Sequence, residues 1–134
     1  MAVHGDITEI TYSHPTIGSG VFFPKSAEGN TYDPGGIRNS DDANAIAGDG
    51  SLIVTKNRVA GFFEVMIEDD MNVRGDALIL AQLAADTVAA DYTFSVINGS
   101  VFACSGIPVG DINPDVNSGT FTLKIVSGNI EKIA

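Results

Sequence analysis

Residues 61–68, Gly-Phe-Phe-Glu-Val-Met-Ile-Glu, put Phe63, Val65 and Ile67 on one side and Glu64, Met66 and Glu68 on the other. A period of two is the mark of a strand with one face in a core and one in solvent. Residues 120–125 repeat it, with Phe121, Leu123 and Ile125 facing in and Thr120, Thr122 and Lys124 facing out. Less regular strand patterns occupy 7–12, 20–23, 51–55, 92–97 and 101–104. Between the last two, Asn98-Gly99 is a strong two-residue hairpin signal, because both turn positions favour positive φ. Lys56-Asn57-Arg58 reads as a polar hairpin tip, and 108–119 as a turn-rich connection. The pattern predicts a mainly β fold: a β-sandwich or open barrel of about seven or eight largely antiparallel strands. The 134 residues suit a single domain, 1–134, large enough to bury a core.

Two segments break the strand rhythm. Roughly 73–88 is rich in helix formers, with Asn72 placed to cap it and Asp76 favouring its first turn. Only Arg74, Asp76, Gln82 and Asp86 interrupt its apolar character. A helix apolar on most sides is covered on most sides, and one small sheet covers only one of them. Leu78, Gln82 and Ala85 are therefore expected to meet a neighbouring subunit. Roughly 24–50 has no clear helix or strand pattern and is dense in Gly, Pro, Asn and Asp, so it predicts a long loop. Loops of this length in compact domains are commonly functional. Tyr32, Ile37 and Ile46 are apolar groups that a solvated linker does not need, and they suggest ordering against another subunit.

Seventeen acidic residues against seven basic ones leave a net charge of −10, which disfavours binding to phosphate backbones or anionic membranes. No apolar run reaches the ~20 residues that span a bilayer, and the first residues show no secretory signal. Cys104, the only cysteine, lies in an apolar strand with no cation near it in sequence, so it reads as buried and inert. His4 and His14 read as surface or terminal groups. No nucleophile–base motif is visible, and the chain does not read as an enzyme; no cofactor is expected. Arg74-Gly75-Asp76 and Asn98-Gly99-Ser100 match short adhesion and glycosylation patterns, but each is better explained as a helix start and a turn.

Two acidic stretches resemble the opening of a calcium loop. The first, from Asp70, has Ala81 where the closing glutamate belongs. The second, 111–117, alternates Asp111, Asn113, Asp115 and Asn117, but Val116 replaces the turn glycine and Thr122 stands at the closing position. Both read as solvated turns, and no metal is expected.

The order of elements resembles the tail-tube proteins of tailed bacteriophages, contractile ones above all, and more distantly the tube protein of type VI secretion. The resemblance lies in the long loop after an early hairpin, in GDGSLIVTKNRVAGFFEVMIEDDMNVRGDALILAQLA, and in the closing SGTFTLKI strand. It implies hexameric rings, stacked into the inner tail tube, whose inner sheets join into one barrel around a channel for DNA and the tape-measure protein. The long loop, with Tyr32, Ile37 and Ile46, would reach the adjacent ring. The helix would lie against neighbours and the sheath, and Glu64, Glu68, Thr120 and Thr122 would face the lumen. The partners implied are further copies of the chain, with sheath, baseplate and tape-measure proteins. DNA would pass without specific binding, and no membrane is involved. The location implied is the virion tail, after synthesis in the host bacterial cytoplasm. A capsid decoration protein, a baseplate or tube-initiator component and a monomeric β-rich binding module remain as alternatives.

Overall fold

The computed structural model describes residues 3–26, 29–39, 45–72 and 75–134. In chain order these form β1 (Ile7–His14), β2 (Gly18–Phe22), β3 (Thr31–Asp33), β4 (Gly36–Asn39), β5 (Ala45–Ile46), β6 (Leu52–Ile53), β7 (Lys56–Val59) and β8 (Gly61–Glu68). There follow α1 (Asp76–Ala85), β9 (Ala90–Val96), β10 (Val101–Val109), β11 (Thr120–Ser127) and β12 (Glu131–Lys132). The main sheet has the order β2-β1-β9-β10-β11-β8-β3, antiparallel throughout, with β12 also on β10. The fold is mainly β with one helix, as the alternation predicts.

The registers place like against like. Phe63, Val65 and Ile67 of β8 pair with Ile125, Leu123 and Phe121 of β11. Ile10 and Tyr12 of β1 pair with Phe94 and Tyr92 of β9. These side chains share one face with Phe22, and all are buried. Phe63 stands 5.0 Å from the ring of Phe94, although β10 and β11 lie between their strands. Only a strongly curled sheet brings them together. The curl nearly closes: beyond β2, Pro24 bridges to Ile67. Lys25 N–H donates to the Met66 carbonyl at 2.8 Å, and Glu68 N–H donates to that of Phe23 at 3.0 Å. Proline is tolerated there because its neighbours make the ladder bonds on a sheet edge. The outer edge of β8 is thus held by 23–25 at one end and by β3 at the other.

Leu80 and Leu83 of α1 complete the core. The helix is shorter than the sequence predicts. Residues 73 and 74, where it was expected to begin, lie outside the described residues. Asn72 is not the cap: it sits in a turn closed by Asp70 Oδ1, which accepts its N–H at 3.1 Å. Gly75 occupies the N-cap position at φ 63. The carboxylate of Asp69 accepts the Ala77 N–H at 3.4 Å, and that of buried Asp76 accepts the Asp70 N–H at 3.1 Å. At the other end Asp86 turns extended, and its carboxylate takes the Val88 N–H at 2.9 Å, which stops the helix short of 88.

Three connections differ from expectation. Described parts of 24–50 contain β3, β4 and β5 rather than an unpatterned loop. Lys56-Asn57-Arg58 belongs to β7, and the turn it was expected to make lies instead at 47–51, where Gly50 takes φ 87. β10 runs on to Val109, because Pro108 and Val109 pair with Ile125 and Lys124. The Asn98-Gly99 turn is present, with Gly99 at φ 94 and Ser100 N–H held by Asn98 Oδ1 at 3.0 Å.

Candidate functional site

β4 and β7 pair from Gly36↔Val59 to Asn39↔Lys56, and β5 and β6 pair as Ala45↔Ile53 and Ile46↔Leu52. Together they make a two-stranded arm outside the main sheet. Every residue of its four strands except Gly36 is exposed. Ile37, Ile46 and Leu52 are 62%, 68% and 60% exposed, and Ile53, Val54 and Val59 are exposed as well. An isolated two-stranded ribbon is marginal in water, and a run of bare aliphatic groups marks an interaction surface. The expected anchors Ile37 and Ile46 thus lie on a surface free to meet a partner.

The arm leaves from a rigid root. Gly61 N–H donates to the Gly128 carbonyl at 2.8 Å, and Ile130 N–H donates to that of Pro34 at 3.0 Å. A Cβ on Gly61 would meet the Gly128 oxygen at 2.6 Å and the Asp33 and Pro34 oxygens at 3.0 Å. Three backbone segments therefore touch where only glycine fits. Asp33 accepts the Gly35 N–H at 2.9 Å and pairs with Arg38. The Gly35 bond, with help from Arg38, holds the Asp33 carboxyl below its usual range. Tyr32 anchors the root to the body, its ring 5.0 Å from Phe102 and 5.9 Å from Phe94. The Tyr32 ring thus packs within its own chain while the residue stays 46% exposed.

On α1, Leu78, Gln82 and Ala85 fall on one exposed line, opposite Leu80 and Leu83. Leu78 borders an apolar hollow of about 210 Å³ walled by Asp69, Met71, Gly75, Ala77 and Pro114. Met71 and Leu78 stand largely in solvent beside it.

The solvent face of the curled sheet gathers the other predicted group. Thr120 pairs with Glu68, Thr122 with Met66 and Lys124 with Glu64, so Glu64, Glu68, Thr120 and Thr122 share one face. Lys124, whose ammonium lies 4.8 Å from the Phe62 ring centre, tempers the negative charge there. Sequence reasoning missed the rest of this face: Glu9, Thr11 and Ser13 of β1 opposite Ser95, Thr93 and Asp91 of β9. The Thr11 and Thr93 hydroxyls bond directly. The signal was the alternation in 90–96, where Tyr92 and Phe94 point in and Asp91, Thr93 and Ser95 point out.

His14 corrects the expectation of a surface group: it is 4% exposed. Its Nδ1 accepts the Thr16 and Ile17 N–H groups at 3.1 Å, so Nε2 carries the proton and donates to the Val88 carbonyl at 3.1 Å. Both nitrogens are used to tie the β1–β2 turn to the exit of α1, a structural post rather than a base. Cys104 is buried as expected, and burial pushes its thiol up to about 11. The 111–117 segment is an Asx turn, Asp115 Oδ1 accepting the Asn117 N–H at 2.9 Å. That bond, followed by one from the Ser118 N–H, holds its carboxyl below the usual range. Among the described residues no three His, Cys, Asp or Glu side chains gather to hold a metal ion. No helix among them is long and apolar enough to cross a membrane. No family model matches the chain, and no curated protein matches it.

Proposed function

We propose that the chain is a structural protein that polymerises with itself into stacked, hexameric rings forming the inner tube of a bacteriophage tail. The observation that carries this reading is the arm: rigidly rooted, bare of cover on both faces, and lined with aliphatic groups. Full burial of each such side chain stabilises by about 1.5–3 kcal/mol, so half-exposed groups recover roughly half of that in a contact. An arm of one copy seated on the body of the next, without exchange of arms about a two-fold, makes a heterologous contact that repeats into rings or helical filaments. The curled sheet supplies the wall. Its outer face, hydroxyl-rich with Glu9, Glu64, Glu68 and Asp91, would line the channel. A conduit for DNA must not hold it, because each phosphate contact adds a salt-dependent trap. Carboxylates repel the polyanion instead. The outer line of α1 then turns to neighbours and to the sheath. Baseplate and tape-measure proteins complete the partners, and the place of action is the virion tail.

Negative-stain electron microscopy of the purified chain tests this. Hollow rods of uniform width are expected. A capsid decoration protein would give no hollow rods, and a monomeric binding module would stay at the single-chain mass of 13.9 kDa in light scattering.

A further inference from the structure

A cleft of about 340 Å³ opens beside the root of the arm, within the size range of small-ligand sites. Gly36, Arg58, Val59 and Ala60 wall it on the arm side, and Ser127, Gly128 and Asn129 on the body side. An irregularity in the sheet makes the body-side wall. Along β10 the step from Gly106 to Ala103 takes three residues, but the facing step from Ser127 to Glu131 takes four. The extra residue is a β-bulge between β11 and β12, and bulges bend a strand and re-aim its side chains. The bulge is tied to the arm root by the Gly61–Gly128 and Ile130–Pro34 hydrogen bonds, at 2.8 and 3.0 Å. Both walls are therefore fixed, and the cleft is preformed.

Its polar groups are uncommitted. Among the described residues no side-chain hydrogen bond or ion pair engages Arg58 or Asn129, whereas Arg38 of the same arm is paired with Asp33. None of the wall residues is acidic, although the chain carries seventeen Asp and Glu. An anion entering the cleft thus meets no like charge in its walls. A guanidinium presents a planar fork that fits a carboxylate, and an amide NH₂ adds donors beside it. One cation balances one negative charge; a phosphate carries more, and the surrounding net charge of −10 would oppose the excess. Val59 and Ala60 add apolar carbon to the same walls, which suits a short aliphatic stem.

We propose that this cleft binds a carboxylate on a short aliphatic stem, held by Arg58 with Asn129 beside it and the stem against Val59 and Ala60. A free short-chain carboxylate and a glutamate side chain of another polypeptide offer the same chemistry. The site lies apart from the exposed aliphatic groups of the arm and does not depend on whether rods form.

Saturation-transfer difference NMR tests it, because the method reads binding to single chains and to large assemblies alike. The charged probes are sodium butyrate and a capped tripeptide whose one charge is a glutamate side chain. Butyramide and the glutamine tripeptide are their uncharged controls. A saturable signal is expected from at least one charged probe and from neither control. Signal from butyrate alone supports a free small carboxylate as the ligand, and signal from the peptide supports a polypeptide source. Arg58→Gln, at an exposed position, should weaken binding roughly tenfold or more at unchanged melting temperature. Arg58→Lys keeps the charge without the fork and should recover only part of it. Asn129→Ala should weaken binding less than Arg58→Gln. No saturable signal from either charged probe, equal signals from the controls, or unchanged affinity in Arg58→Gln would overturn the site.

Discussion

Removing the arm separates folding from assembly. Arg38 and Asn57 face each other across the β4–β7 ladder, so residues 39–56 can be replaced by Asn-Gly, a turn that closes a two-residue hairpin. The cut keeps β3, the Tyr32 contacts, the Asp33–Arg38 pair and the glycine root. A cut of 27–47 would instead strip β3 from the edge of β8 and damage the body. Shortening the excursion returns about 0.6 kcal/mol per halving, roughly 2 kcal/mol in all, as an upper bound. The melting temperature, followed by circular dichroism, should stay level or rise by several degrees. Assembly should collapse. Ile46, Leu52, Ile53 and Val54 are about half exposed, and covering them contributes on the order of 5 kcal/mol per contact. Their loss corresponds to more than a thousandfold in contact affinity. Sedimentation velocity should show a species near the monomer mass at concentrations where the full chain forms rods. Rods from the shortened chain would refute the role given to the arm. A melting temperature lowered by ten degrees or more would refute its independence from the body.

Three further outcomes are expected. Gly61→Ala drives a methyl into the Gly128 carbonyl and should cost about 1–3 kcal/mol, seen as a lowered melting temperature; an unchanged melt would contradict the packed root. Alkali should destabilise the fold: the unfolded Cys104 thiol ionises at the ordinary thiol value of 9.0 and the folded one at about 11, so stability present below pH 9 falls as pH rises between them. That loss amounts to roughly 3 kcal/mol, with buried Tyr92, also raised, adding to it at higher pH; a flat profile from pH 8 to 11 would contradict this. Glu64→Lys with Glu68→Lys should leave rods intact but slow DNA delivery from particles, and normal ejection kinetics would sink the proposed lumen face.

What could be read in the sequence follows burial. Residues 61–68 and 120–125 were legible because one face of each is buried and the period of two is enforced. From the same alternation, Glu64, Glu68, Thr120 and Thr122 could be assigned to one face. The strand read at 51–55 contains β6, but β4, β5 and β7 were not legible, because strands exposed on both faces obey no alternation and only their pairing defines them. The existence of α1 was plain from composition, but its start depended on Asp69 and Gly75 and its end on the Asp86 bond to Val88, none of which a propensity scale weighs. His14 was misread because its decisive partner, the Val88 carbonyl, lies 74 residues away.

The central claim is that this chain builds a hollow tube with the hydroxyl and carboxylate face inward and the arm between rings. A helical reconstruction by cryo-electron microscopy of the purified, assembled chain tests it most directly. The account predicts a channel walled by Thr11, Thr93, Thr122, Glu64 and Glu68, with each arm seated on a subunit of the next ring. A tube with that face outward, or protein that stays dispersed as single chains, would contradict it.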